Sequence, residues 1–175
     1  MKVGILCANG LEECEGLVVY DLLYRAGIEV KLVGLEKEVL SSHKVSFKTD
    51  MTIDEFDYKN YDCVVLPGGI PGTPNLEANS KVQEIIDYYV TNNKLIAAIC
   101  AAPSILIHKG LLKDEKFICY PGFENGLKPA NVKAIKDGNF ITGKGLGAAF
   151  EFSYEIIKTL TDEKTAKDTL AKIQY

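Results

Sequence analysis

The stretch Ala97-Ala98-Ile99-Cys100-Ala101-Ala102-Pro103 sets one cysteine between an apolar run and a proline, with alanines two positions to either side. That pattern suits a tight strand-to-helix turn, where a nucleophile sits in a strained backbone conformation and its neighbours must be small for strand and helix to approach. At the start of the following helix, Cys100 would face unsatisfied N–H groups and the positive end of the macrodipole, which favour thiolate. The same surroundings suit an inert buried cysteine that merely ends a strand. The residues alone leave both readings open.

Other chemistry-bearing residues are sparse. Five cysteines, Cys7, Cys14, Cys63, Cys100 and Cys119, form an odd set without C-x-x-C spacing, which suggests neither a disulfide framework nor a zinc site. Cys7, Cys63 and Cys119 fall in or beside apolar runs and read as core. His43 and His108 lie in unrelated segments, so no metal is expected. The run Gly143-Lys144-Gly145-Leu146-Gly147 is rich in glycine and precedes a helical pattern, yet it lacks the Lys-Ser/Thr ending of a phosphate loop and the Rossmann spacing. Tight packing explains it better.

The elements that must position Cys100 alternate in type along the chain. Short apolar runs, 2–7, 28–34, 62–66 and 95–99, are separated by longer segments of helical period, which predicts a mostly parallel sheet covered on both faces. Helices are expected from Glu13 to Ala26, from a capping Ser80 through Asn92, from about Ala148 to Leu160, and in the Asp-capped tail 162–173. The segment EVLSSHKVSFKTD reads as a small hairpin about a Ser-Ser-His-Lys turn. Pro67-Gly68-Gly69-Ile70-Pro71-Gly72 mixes φ-locked and φ-free residues at a strand end, so it should be a loop, placed where open α/β sheets bind ligands.

With 175 residues and 47% hydrophobic content, the chain can fill one core without staples, so a single domain over 1–175 is expected. The net charge of -4 comes from interleaved rather than blocked charges, which argues against nucleic acid as a partner. The opening MKVGILCANG is too short in apolar residues for a signal sequence, and no run nears the roughly 20 residues of a membrane span. A soluble cytoplasmic protein with no membrane partner is expected.

Four segments together resemble the ThiJ/PfpI superfamily, in the branch of the Parkinson-disease protein deglycase: Gly10-Leu11-Glu12-Glu13-Cys14-Glu15, Leu66-Pro67-Gly68-Gly69, Ala97 through Pro103, and Gly145 through Phe152. They occur in the family's order and cover nearly the whole chain. The resemblance implies a flavodoxin-like three-layer sandwich, like that of class I glutamine amidotransferases, and a homodimer that buries part of the first helix near Cys14 to Tyr20. It assigns Cys100 as nucleophile, Glu15 as the acid contacting it, and Gly69 with Ala101 as backbone N–H donors of an oxyanion-type pocket. If Glu15 faces the sulfur, the acid should keep its proton and donate to thiolate.

Glu12 and Glu13 read as ordinary first-turn acids, and Arg25 as a helix-end charge or an anion-attracting rim. Many relatives carry a histidine where this chain has Tyr120, in Cys119-Tyr120-Pro121-Gly122-Phe123-Glu124. Tyr120 is either a ligand contact or a packed aromatic. His108 cannot replace the histidine, since eight helical residues beyond Cys100 mean a rise of about 12 Å. A Cys100–Cys119 disulfide is conceivable, though sequence gives no distance.

The resemblance implies a cysteine-dependent enzyme of glyoxalase or deglycase type, acting on a small reactive carbonyl substrate or its adduct through a thiolate hemithioacetal, with no cofactor. The alternative is a redox sensor or chaperone of oxidative stress whose cysteine oxidises to sulfinate. An amidase or peptidase is the weakest option, because no Cys-His dyad can be assembled.

Overall fold

In the computed structural model, which describes residues 1–175, the apolar runs pair into one seven-stranded sheet. Strands β1 (Lys2–Cys7), β2 (Glu29–Gly34), β5 (Met51–Thr52), β6 (Cys63–Leu66), β7 (Leu95–Ile99) and β9 (Phe140–Gly143) are parallel, and β8 (Ala134–Asp137) joins the edge antiparallel to β9. The spatial order is β5-β2-β1-β6-β7-β9-β8. Its five central strands follow the flavodoxin-like order 2-1-3-4-5, whose switch point lies between β1 and β6. Glu15 and the Pro67–Gly72 loop both follow that point.

Strand pleating divides the core. Along β7, Ile96 and Ala98 belong to one cluster, which also takes in Val82, Ile85 and Ile105; Leu95, Ala97 and Ile99 belong to the other, with Val19, Phe152 and Ile156. The first cluster is covered by α2 (Gly72–Ala78), α3 (Ser80–Thr91) and α4 (Pro103–His108), the second by α1 (Glu13–Arg25), α5 (Ala149–Leu160) and α6 (Glu163–Lys172). Each fully buried Ile or Leu contributes roughly 1.5–3 kcal/mol. The molecule is thus an α/β sandwich with helices on both faces, as expected, and no helix is long and apolar enough to cross a membrane.

Helix α1 has acidic residues in its first turn and Arg25 in its last, and Gly27 at φ +78° supplies the stop. The hairpin is present as β3 (Glu38–Leu40) and β4 (Ser46–Lys48). It is tied to the chain entering α1 by Gly10 N–H to Leu40 O at 2.7 Å and Ser42 N–H to Leu11 O at 2.8 Å. Asp162 caps α6 by accepting from Thr165 N–H. Two expectations need correction. Asn79, not Ser80, caps α3, accepting from the N–H groups of Lys81 and Val82. Helix α2 begins inside the glycine-rich stretch at Gly72. Cys119 is buried in the core, as expected, on an irregular segment beside β9, where Ile118 N–H donates to Thr142 Oγ1.

Candidate active site

Cys100 sits one residue past β7 with φ +65°, in the left-handed region that side chains rarely adopt. Both of its backbone groups are held. Its N–H donates to Gly143 O at 2.9 Å, and its carbonyl accepts from Tyr120 N–H at 2.8 Å. Ala98 and Ala102, two positions to either side, are fully buried, as the small-residue rule for this turn requires.

Glu15 enters from α1 and has no exposed surface. Gly68 N–H donates to Glu15 Oε2 at 2.9 Å. The other oxygen, Oε1, has no full hydrogen bond; the Cys100 thiol and the Leu146 N–H are the groups that face the carboxyl. The structure therefore brings Cys100, Glu15, Gly69 and Ala101 together. The N–H groups of Ala101 and Gly69 face the Cys100 sulfur itself, the atom whose charge would pass to a substrate oxygen.

The electrostatics differ from the expected lowering of the Cys100 pKa. Helix α4 starts only at Pro103 and has six residues, so its dipole acts weakly on the sulfur. Burial, with the Glu15 charge and hydrogen bond next, pushes the Cys100 thiol up to about 12, against the lowering effect of the two N–H groups. Burial likewise pushes Glu15 up to about 7. Both shifts have one meaning: the cavity resists a dianion, so the pair holds a single proton between them over a wide pH interval.

Two glycines make this approach possible. A Cβ on Gly68 would lie 2.6 Å from Cys100 Cβ and 2.7 Å from Glu15 Oε2. Gly69, at φ +93°, has no room either, since a Cβ there would lie 2.2 Å from Glu12 N. Gly68 and Leu146 were not singled out as site residues from sequence; the signal available for Gly68 was its place in the Leu66–Gly69 segment. The glycines after β9 do pack tightly. A Cβ on Gly143 would meet Ile99 at 2.9 Å, and one on Gly145 would meet the Tyr120 ring at 3.4 Å and the Cys100 sulfur at 3.8 Å.

Tyr120 is 52% exposed. Its ring meets Phe123 edge-on and lines a cleft of about 500 Å³ with Lys133, Lys144, Gly145 and Leu146. The histidines are engaged elsewhere: His108 Nδ1 lies 2.6 Å from Glu77 Oε1, and His43 lies 3.2 Å from Glu13 and 3.4 Å from Glu12. The fold thus brings His43 to the first-turn acids, which its sequence position had not suggested. Arg25 pairs with Asp21 at 2.7 Å. All five cysteines are free. Burial pushes Cys7 up to about 12 and Cys119 up to about 11, and raises Cys63 as well.

Comparison with known proteins decides the family. The DJ-1/PfpI family model matches residues 1–159. The chain belongs to the DJ-1/PfpI family. It is 34% identical to "Deglycase PfpI" of Pyrococcus furiosus, across 91% of this chain and 99% of that protein. It is 32% identical to the Parkinson disease protein 7 homolog of Danio rerio, across 97% of this chain and 94% of the relative. Among solved structures, oxidized Toxoplasma gondii DJ-1 superposes with a TM-score of 0.95 at 32% identity, covering 99% of this chain and 98% of that one. A deglycase name within the family places deglycase-type activity among its members.

Proposed function

We propose that this DJ-1/PfpI chain acts as one domain and is a cysteine-dependent enzyme of glyoxalase or deglycase type, acting on reactive aldehydes or their adducts. The observation that carries the reading is the fully buried Glu15 carboxyl facing Cys100, with two backbone N–H groups on the same sulfur. In the singly protonated pair, the thiolate form places the proton on Glu15. The sulfur lone pair then forms a C–S bond to the aldehyde carbon, and the carbonyl π pair moves to oxygen. Glu15 delivers its proton to that oxygen, giving a hemithioacetal. As the charge leaves sulfur, the N–H groups of Gly69 and Ala101 become free to hold the new oxyanion. Glu15, now a carboxylate, can carry a proton between adjacent carbons of an α-oxoaldehyde. Release by water gives a hydroxy acid, so the net reaction is addition of water and is redox-neutral.

Purified protein tested with methylglyoxal checks the reading. Turnover that vanishes in both Cys100→Ser and Glu15→Gln supports it; turnover that survives in either refutes it.

A second reading, redox sensing through a Cys100 sulfinate, is favoured by the same polar shell. Two oxygens transferred to the sulfur from a peroxide, which is reduced to water or alcohol, would meet the Glu15 proton and two N–H donors.

A further inference from the structure

A second cleft, of about 320 Å³, lies between α2 and α4, on the sheet face opposite α1, α5 and α6. The thiol is not part of its lining. Ala101 stands between them, with its N–H turned to the Cys100 sulfur and its carbonyl accepting the hydroxyl of Ser104, which lines the cleft, at 2.8 Å. An occupant of this cleft is therefore not a substrate of Cys100.

Thr73 lines the cleft, is only 2% exposed, and has an Oγ1 with no hydrogen-bond partner in the protein. Buried hydroxyls are nearly always satisfied, so an orphan in a cleft wall points to a ligand that supplies its partner. What Thr73 lacks is two-sided, because a hydroxyl has a proton to donate as well as lone pairs to fill. The groups around it are mixed in the same way. Ser104 has committed its proton to Ala101 and can only accept. Glu77 gives one carboxylate oxygen to His108 Nδ1 at 2.6 Å and keeps the other as an acceptor. Asn125 brings an amide that both donates and accepts, and Phe123 adds an aromatic ring.

This set discriminates among ligand classes. No lysine or arginine lines the cleft, so a phosphate or carboxylate would find no counter-charge beside Glu77. An ammonium or guanidinium brings donors only and would leave the Thr73 proton unpaired. We infer that the Thr73–Glu77–Ser104 cleft binds a neutral polyhydroxyl compound, of the class of a single sugar ring or a cyclitol. Each hydroxyl of such a ring donates and accepts at one atom, so neighbouring hydroxyls can meet Thr73, Ser104 and Glu77 in turn while the C–H face lies on Phe123. The volume is at the small end of the roughly 300–1,000 Å³ of ligand pockets, which suits one ring rather than a chain of them. The site stands independently of the reaction proposed above.

NMR titration with methyl α-glucopyranoside and myo-inositol tests it; neither carries a free carbonyl, so neither can react with Cys100. At least one should bind saturably and shift the amide signals of Thr73, Ser104 and Phe123, and methylguanidinium should bind less tightly. Thr73→Val and Glu77→Gln should each weaken binding severalfold, the effect of one hydrogen bond, whereas Cys100→Ser should bind as wild type does. Without ligand, Thr73→Val should raise the urea midpoint, because an unpaired buried hydroxyl gives way to a methyl group. A lowered midpoint would show that the hydroxyl is bonded within the fold, which removes the ground for the site. No saturable shift with either compound, methylguanidinium binding as tight or tighter, indifference to both substitutions, or loss of binding in Cys100→Ser would each overturn the proposal.

Discussion

The Glu15 carboxyl and the Cys100 sulfur meet beyond the carboxyl ends of β1, β6 and β7, one from a helix that has no exposed surface there and the other from a left-handed turn. Neither group can reach this arrangement without Gly68, which donates to Glu15 from a position too narrow for any side chain. Because the cavity disfavours two negative charges, the reactivity of the thiol and the ionisation of the acid become one property.

The alkylation rate of Cys100 should rise with pH to a plateau, through an apparent pKa near the value of about 7 to which burial raises Glu15. Above that pH the pair holds one proton, and the thiolate fraction stays constant. Glu15→Gln removes the titrating acid, so the limb near neutral pH should disappear. Rate measurements with peptide mapping check this; a profile unchanged in the variant would show that the two groups titrate independently.

Folding stability should depend on pH through the same residue. Glu15 is raised from an ordinary 4.5 to about 7, so the native state binds more protons than the unfolded state in that interval. Its contribution is present below about pH 4.5 and is lost as pH rises through about 7. Glu15→Gln should therefore gain up to about 3 kcal/mol on wild type at pH 8 and little at pH 4. Urea denaturation at both pH values would show it, and a wild-type advantage at pH 8 would contradict it.

Gly68→Ala should destabilise the fold by about 1–3 kcal/mol, the usual cost of overpacking. The conflict is with Cys100 Cβ, Glu15 Oε2 and the Ile99 carbonyl, at 2.6, 2.7 and 2.9 Å. Two of these belong to the reactive pair, so Cys100 alkylation should also change. A variant of normal stability and reactivity would mean that the loop moves freely.

How much of this was legible in the sequence depends on the range of the interaction. The elbow at Cys100, the helices from Glu13 and Ala149, and the hairpin at Ser41–Lys44 were readable because each depends on neighbours along the chain. Strands β8 and β9 escaped notice because Ala134–Asp137 is only partly buried, and the glycine-rich turn after Thr142 hid the end of β9. The direction of the Cys100 pKa shift was not legible for a long-range reason. A local helix dipole was weighed, but burial by distant segments and the charge of Glu15 dominate. His43 is exposed, and only the fold of the hairpin onto α1 sets it beside Glu12 and Glu13.

The chain should form a homodimer through α1. Leu17 and Val18 are half-buried apolar residues on that helix, and Tyr20 stacks on the exposed Tyr24 with ring centroids 6.4 Å apart. Symmetric dimers are the commonest oligomers, and family resemblance assigns the same face. Light scattering at micromolar concentration should give twice the monomer mass, and Val18→Asp should halve it. A monomer in wild type would refute the interface.

By the family resemblance Tyr120 stands where many relatives carry a histidine, and its effect on turnover tests whether Cys100 and Glu15 suffice. Its backbone N–H is bound to the Cys100 carbonyl, so Tyr120→Phe leaves the main chain of the turn untouched and removes only a hydroxyl at the cleft mouth. One neutral hydrogen bond is worth roughly 0.5–1.5 kcal/mol, so the rate should fall about tenfold or less. Cys100→Ser should abolish turnover, because an alkoxide is far harder to form than a thiolate in a cavity that already resists charge. The same cavity sets the pH profile: with no imidazole at the sulfur, the acidic limb should follow the Glu15 and Cys100 pair and should move in Glu15→Asp but not in Tyr120→Phe. A thousandfold loss in Tyr120→Phe, with the fold intact by circular dichroism, would show that the phenol is an essential proton donor and that the two-residue mechanism is wrong.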